Sequence, residues 1–139
     1  MKYLLDTCLI SELVKKRPNS GVIRWLEKVD EGRLYLSSLT IGELQRGISK
    51  LPDNPRKEQL QAWVSNDLAS RFEGRILDID VEVAKAWGIL QGTGEQKGVL
   101  LPVIDSLIAA TAMVHKLTVV TRNTKDMERC HVKVLNPWD

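Results

Sequence analysis

Three things are scarce in this chain of 139 residues: cysteine, net charge and long apolar runs. Cys8 and Cys130 are its only cysteines. Two thiols are too few for a disulfide scaffold or a thiolate zinc site, so we expect reduced thiols and a cytoplasmic protein. We expect Cys8 to pack as a small apolar residue. No stretch approaches the roughly 20 apolar residues of a membrane helix, and we expect no signal peptide.

The charge is almost balanced, because 20 basic residues stand against 18 acidic ones and leave a formal charge of +2. This balance neither demands nor excludes nucleic acid binding, since a basic groove can coexist with an acidic pocket. Hydrophobic residues at 43% and charged residues at 27% are typical of a globular protein. We find no internal repeat and expect one domain over residues 1–139.

Strand and helix patterns alternate along the chain. Strands are predicted at about residues 2–5, 34–36, 75–78, 117–120 and 132–135. Helices are predicted between them, one beginning at Thr40, one running over 80–91 and one over 102–116, while residues 92–98 are expected to form a flexible loop. This alternation favours an α/β fold with three layers, in which helices flank a central, mainly parallel five-stranded sheet.

Asp6 lies where the apolar period changes from strand to helix, between Leu5 and Leu9. Ligands of open α/β sheets bind at the carboxyl ends of the strands, where this carboxylate is expected. Asp6 is equally suited to cap the helix that follows.

Further polar side chains share this setting beside helix starts: Glu43, Asp105, Asn123 and Asp126. Each also has an ordinary structural explanation. Thr40 and Glu43 fit a capping box with Glu43 at the third helical position, and Asp105 suits a helix dipole. Asn123 resembles a cap that is followed by an acid three residues later.

Carboxylates that meet at one sheet edge repel each other, and burial increases the repulsion. A divalent cation relieves it, and Mg²⁺ or Mn²⁺ takes oxygen ligands together with waters and substrate phosphate. On spacing alone, a metal site and a set of separate helix caps both remain open.

Four segments in order resemble the acidic motifs of PIN domains, and specifically VapC-type toxin ribonucleases of the FitB-like subgroup. The segments are Leu4-Leu-Asp-Thr7, Ile41-Gly-Glu-Leu-Gln-Arg-Gly47, Ile104-Asp-Ser-Leu-Ile-Ala-Ala110 and Val120-Thr-Arg-Asn-Thr-Lys-Asp126. The ending Val134-Leu-Asn-Pro-Trp138 is also similar to the ending of such toxins. The resemblance implies a PIN-like α/β fold and a Mg²⁺-dependent endoribonuclease, with Mn²⁺ as the other candidate ion.

The resemblance carries over to individual residues. It implies that Asp6, Glu43 and Asp105 are the core acids. Many PIN domains place a further acid shortly after the fourth strand, where this chain has Asn123 and then Asp126. We take Asp126 as the fourth catalytic acid and Asn123 as a carbonyl ligand of the metal. Thr7 and Thr121 are either donors to these acids or ordinary cap hydroxyls.

Three cations close to the proposed acids are candidates for binding RNA phosphates: Arg46, Arg122 and Lys125. The alternative is simple charge compensation, since Arg46 lies three residues after Glu43. Trp63 and Trp87 are expected to pack in the core or a dimer contact rather than to stack on bases.

The resemblance also implies partners: an RNA substrate of the tRNA or rRNA class, a cognate antitoxin and a second copy of the chain. We expect a higher assembly with the antitoxin, contact with DNA only through it, and no membrane partner. A non-catalytic metal-binding protein that keeps this fold and acts through partner binding is the alternative.

Overall fold

The structural centre is a parallel sheet of five strands, described here in a computed structural model that covers residues 1–139. The strands are β1 (Tyr3–Leu5), β2 (Leu34–Ser37), β3 (Ile76–Leu77), β4 (Thr118–Val120) and β5 (Val134–Leu135). Their order is β3-β2-β1-β4-β5, and every neighbouring pair is parallel. β2 and β3 lie on one side of β1, and the later strands β4 and β5 lie on the other side. The topological switch point is therefore between β1 and β4.

Helices fill the connections between these strands, as the alternation predicts. They are α1 (Thr7–Leu13), α2 (Ser20–Lys28), α3 (Ser38–Ser49), α4 (Pro55–Ala62), α5 (Ala69–Arg71), α6 (Val81–Gln96), α7 (Val103–His115) and α8 (Thr124–Glu128). A 3₁₀ turn at Glu31–Arg33 precedes β2, and a π-helical segment at Trp63–Leu68 joins α4 to α5. No helix is both long and apolar enough to cross a membrane.

The strands separate two hydrophobic clusters. Leu4 and Val119 belong to one cluster, whereas their neighbours Leu5 and Val120 belong to the other. Successive side chains of a strand point to opposite faces, so each face of the sheet needs its own layer of helices. The first cluster is completed by α6, α7 and α8, and the second by α1, α2, α3 and the π-helical segment. The predicted three-layer arrangement is confirmed.

The start of α3 differs from the sequence prediction. β2 runs directly into this helix, which begins at Ser38 and is capped by Ser37, whose Oγ accepts a hydrogen bond from the Leu39 N–H at 3.1 Å. The predicted start at Thr40 is therefore wrong, and so is the capping box with Glu43 at the third position. Glu43 lies more than a turn inside α3, because Ser37 already satisfies the helix start.

The predicted loop over residues 92–98 is also wrong, because α6 continues to Gln96. Gly94 is buried, and a Cβ on it would lie 2.9 Å from the Val99 carbonyl oxygen and 3.6 Å from the Leu101 side chain. The missing side chain thus permits a close return of the chain after the helix. That packing outweighs the roughly 1 kcal/mol by which each glycine weakens a helix interior.

Two glycine substitutions test this longer helix. Gly92→Ala should stabilise the protein by about 0.5–1 kcal/mol, because Gly92 is exposed within α6 and a Cβ there meets nothing within 4 Å. Gly94→Ala should destabilise it by about 1 kcal/mol or more, because its Cβ would overlap backbone. Urea unfolding of both variants measures the difference. Two neutral substitutions would contradict the helix and support a loop.

Candidate functional site

Asp6 is held at the carboxyl end of the central strand. Its backbone N–H donates to the Val120 carbonyl oxygen at 3.0 Å, which ties the junction to β4. Its Oδ1 accepts from the Thr7 N–H at 2.8 Å, and its Oδ2 accepts from Thr121 Oγ1 at 2.7 Å. Only 7% of Asp6 is exposed. Asp6 therefore does cap α1, but with one oxygen only, and its second oxygen is oriented by a hydroxyl from β4's end.

Thr7 connects this junction to α3. Its Oγ1 donates to Glu43 Oε1 at 2.5 Å and lies 3.3 Å from Thr40 Oγ1. Thr40 is fully buried and lies three residues before Glu43, on the same face of the helix. The carboxylates of Asp6 and Glu43 are thus positioned by the same residue, one through its N–H and the other through its hydroxyl.

The remaining predicted acids meet at Asn123. Its Nδ2 donates to Asp126 Oδ2 at 2.9 Å and makes a longer contact of 3.5 Å with Asp105 Oδ2. Asn123 occupies the N-cap position of α8, but its side chain makes no capping hydrogen bond, so the predicted cap is wrong. The amide instead orients two carboxylates that come from different helices, α7 and α8.

The charges of the other three acids act on Asp105. The pKa of Asp105 is raised to about 6, first by burial and then by the negative charges of Asp6, Asp126 and Glu43. The carboxylates therefore lie near enough to disfavour each other's ionised forms. A positive ion at this edge of the sheet would offset that repulsion.

The donor set fits Mg²⁺ or Mn²⁺ in kind, because it consists of carboxylate oxygens with one nearby amide oxygen, that of Asn123. No group of three or more His, Cys, Asp or Glu side chains lies close enough together to hold a metal ion by itself. Mg²⁺ suits such an open set, since it retains several waters and is commonly bound by only one or two carboxylates and substrate phosphate.

Cys8 belongs to this site and not to the apolar core, so the expected packing role is wrong. Its Sγ lies 3.8 Å from Asp6 Oδ2 and 3.5 Å from Thr121 Oγ1, and accepts from the Arg122 N–H at 3.5 Å. Burial raises the pKa of the Cys8 thiol, and the charge of Asp6 raises it further. Its position two residues after Asp6, in the first turn of α1, was the available signal.

The three cations predicted to bind phosphates are exposed: Arg46, Arg122 and Lys125. None of them forms an ion pair within 4.0 Å, so the suggested Arg46–Glu43 pair is absent. Arg129, which the sequence reasoning missed, lies with its Nη1 3.9 Å from Asp126 Oδ1. The two tryptophans do pack as expected, Trp63 and Trp87 lying against opposite hydrophobic clusters.

A comparison with known protein families identifies the family of this chain. The family model described as the PIN domain matches residues 3–131. The chain belongs to the PIN-domain family.

Relatives resemble this PIN domain over nearly their full length. Toxin FitB of Neisseria gonorrhoeae is 36% identical over 135 residues, covering 97% of each chain. The VapC ribonuclease Y4jK of Sinorhizobium fredii is 32% identical over 136 residues, covering 98% of this chain and 97% of that protein. A solved structure of FitAB bound to an IR36 DNA fragment matches with a TM-score of 0.92 at 34% identity, covering 99% of this chain and 96% of the other. The resemblance and the fold class inferred from the motifs are confirmed.

The raised pKa of Asp105 predicts a pH-dependent stability of the metal-free PIN domain. The folded state holds this proton more tightly than the unfolded state, whose pKa is near 3.8. The free energy of unfolding should therefore decrease as the pH rises from about 4 to about 6, and it should remain at the lower value above pH 6. The raised pKa corresponds to at most ~3 kcal/mol, and solvent screening of the half-exposed carboxyl reduces this to about 1 kcal/mol.

Urea unfolding in EDTA across this pH range measures the effect. Asp105→Asn should be more stable than the wild type above pH 6 by about 1 kcal/mol, and the difference should vanish below about pH 4. Asp53→Asn serves as the control, because the side chain of Asp53 is 98% exposed. A difference for Asp105→Asn that is constant with pH would contradict the clustering of charges.

Proposed function

We propose that this PIN domain is the toxin of a type II toxin–antitoxin system and acts in the cytoplasm as a metal-dependent endoribonuclease. Residues 1–139 would act as one nuclease domain. The observation that carries the proposal is the convergence of Asp6, Glu43, Asp105 and Asp126 at the switch point of the sheet. The names of its relatives, toxin FitB and VapC ribonuclease Y4jK, support the same reading.

The four acids would hold a divalent cation, Mg²⁺ or Mn²⁺, one or two of them as direct ligands and the others through its waters, with the carbonyl oxygen of Asn123 as a further ligand. Bound there, the cation supplies Lewis-acid activation of a water and stabilises the negative charge that develops at the scissile phosphate. Attack by water in line with the leaving oxygen yields a 5′-phosphate and a 3′-hydroxyl. No side-chain nucleophile is needed for this reaction.

The protein's own contribution is to orient the carboxylates before substrate arrives. Asp6 cannot rotate freely, because Thr7 and Thr121 each donate to one of its oxygens. Glu43 is oriented by the Thr7 hydroxyl, and Asp126 by the Asn123 amide. Orientation in advance lowers the reorganisation that the reaction would otherwise require.

RNA must approach this negative site despite its own charge. Arg46, Arg122 and Lys125 support an RNA substrate, of the tRNA or rRNA class, because they are exposed cations with no carboxylate partner. Contacts with phosphates on either side of the cut would offset repulsion from the four acids. They would also hold the strand across the site.

Partners follow from the same family. The matched structure is that of FitAB bound to an IR36 DNA fragment. We propose by analogy that this chain forms a homodimer and a higher assembly with a cognate antitoxin, and that it meets DNA only through that antitoxin.

Removing the charge of Asp6 tests the nuclease activity. Asp6→Asn should lower the cleavage rate of pooled tRNA and rRNA by about 10²–10³-fold or more, because the most tightly oriented carboxylate is neutralised. EDTA should abolish wild-type activity, and Mg²⁺ or Mn²⁺ should restore it. Asp53→Asn is the matched control and should retain full activity.

The same experiments can identify the alternative, a non-catalytic protein. If wild-type protein leaves the RNA pool intact with either ion, and Asp6→Asn is as toxic in cells as the wild type, the nuclease proposal is wrong. A non-catalytic protein that acts through partner binding then explains the fold.

The exposed cations make a separate prediction about substrate binding. Arg122→Gln and Lys125→Gln should each raise KM several-fold with little change in kcat, and each should reduce the salt dependence of binding by about one phosphate contact. Lys28→Gln is the control, because Lys28 is exposed at the end of α2, whereas the acids meet at the opposite edge of the sheet. Steady-state cleavage at several salt concentrations measures both quantities, and unchanged salt dependence would exclude phosphate contacts.

A further inference from the structure

The first turn of α7, which carries Asp105, is joined to α6 through one buried hydroxyl. Ser106 follows Asp105 directly and is fully buried. Its Oγ accepts hydrogen bonds from Trp87 Nε1 at 3.1 Å and from Gln91 Nε2 at 2.8 Å. Trp87 and Gln91 are four residues apart, so both point from one face of α6 toward the same atom.

The same groups also hold the chain just before α7. Ser106 Oγ lies 2.7 Å from the Pro102 carbonyl oxygen and 2.9 Å from that of Val103, and donates its hydrogen to them. Gln91 Nε2 makes a second hydrogen bond, to the Leu101 carbonyl oxygen at 3.1 Å. The entry into α7 is therefore clamped to α6 on both sides of Pro102.

Apolar packing holds the body of α7 against α6, but few apolar side chains of the turn itself are buried. Leu100 is 84% exposed and Val103 is 57% exposed, while Leu101 is the one buried apolar side chain of the entry. Pro102 occupies the N-cap position and offers no side-chain acceptor, so α7 lacks a side-chain cap. The polar contacts to Ser106 therefore act together with the buried side chain of Leu101 to set where the turn lies.

The carboxylate of Asp105 is held weakly by its own contacts. Its side-chain hydrogen bond is the 3.5 Å contact from Asn123 Nδ2, whereas Asp6 has two donors within 2.8 Å. The location of the Asp105 carboxylate therefore follows from the backbone of its turn. Any group that fixes this backbone also fixes the carboxylate.

We propose that Trp87, Gln91 and Ser106 are positioning residues that hold Asp105 at the acidic edge of the sheet. They act through Asp105 and touch no substrate. The proposal rests on the proposed function for the role of Asp105 itself. It assigns to the α6–α7 contact a task in ion binding and turnover beyond its contribution to stability.

Two variants remove the hydrogen bonds between Ser106 and α6, one from each helix, and a third variant provides the control. Ser106→Ala deletes the shared hydroxyl, and Gln91→Leu deletes the amide from half-buried α6 surface. Thr111→Val is the control: Thr111 is a fully buried residue of the same helix whose Oγ1 donates to the Leu107 carbonyl oxygen at 2.8 Å, more than a turn from Asp105. Trp87→Phe removes the indole N–H together with part of the ring, and it provides a further variant if another fails to fold.

Mn²⁺ affinity by calorimetry is the primary measurement, with RNA cleavage as the second and urea unfolding to match variants for stability. Ser106→Ala and Gln91→Leu should weaken Mn²⁺ binding and lower kcat by about tenfold or more, with KM for RNA within about twofold. Thr111→Val should lose stability but leave both quantities unchanged. Asp105→Asn is measured in parallel. Because the positioning residues act through Asp105, its loss of Mn²⁺ affinity and kcat is the largest that they can produce.

The proposal is overturned if Ser106→Ala and Gln91→Leu lose stability as Thr111→Val does while their Mn²⁺ affinity and kcat remain at wild-type values. It is also overturned if Asp105→Asn binds Mn²⁺ as tightly as the wild type. Calorimetry needs no RNA, so a wild type that binds Mn²⁺ but cleaves no RNA would refute the nuclease function and leave the positioning result intact.

Discussion

The parallel pairing of β1 with β4 is the constraint on which the rest of the site depends. Leu5 is in register with Val120, so Asp6 and Thr121 leave the sheet side by side and join through a 2.7 Å hydrogen bond. Every other acid reaches Asp6 from a helix that starts near this edge. Because β1 is central and the strand order reverses beside it, this is the place where an α/β sheet leaves a crevice for ligands.

Gathering four carboxylates there works against stability, and the raised pKa of Asp105 is the visible sign. The carboxylates are held in place against this repulsion in two ways. Asp6 and Glu43 are oriented by short hydrogen bonds within their own neighbourhood. Asp105 instead depends on the backbone of a turn that polar contacts attach to α6. Asp6 and Glu43 are therefore oriented by direct hydrogen bonds, whereas Asp105 is placed through the backbone where α7 begins.

Several details of the fold depended on tertiary contacts that no local pattern contains. Residues 92–96 form helix despite two glycines, because Gly94 allows Val99 and Leu101 to fold back against α6. Glu43 lies deeper in α3 than a capping box requires, because Ser37 at the end of β2 provides the cap. Cys8 faces the acids and not the core, since the first turn of α1 is aimed at the end of β4.

The sequence by itself determined the alternation of strands and helices, the parallel three-layer architecture and the position of several acids beside helix starts. It could do so because apolar periodicity reports which side chains are buried, and because parallel strands bring their carboxyl ends to one edge. Only the tertiary structure decided which groups orient each carboxylate, that Arg46 is free of Glu43, and that Ser106 joins α7 to α6. Those outcomes depend on how individual side chains are placed in the folded protein, most of them between segments far apart in the chain, which spacing along a sequence does not encode.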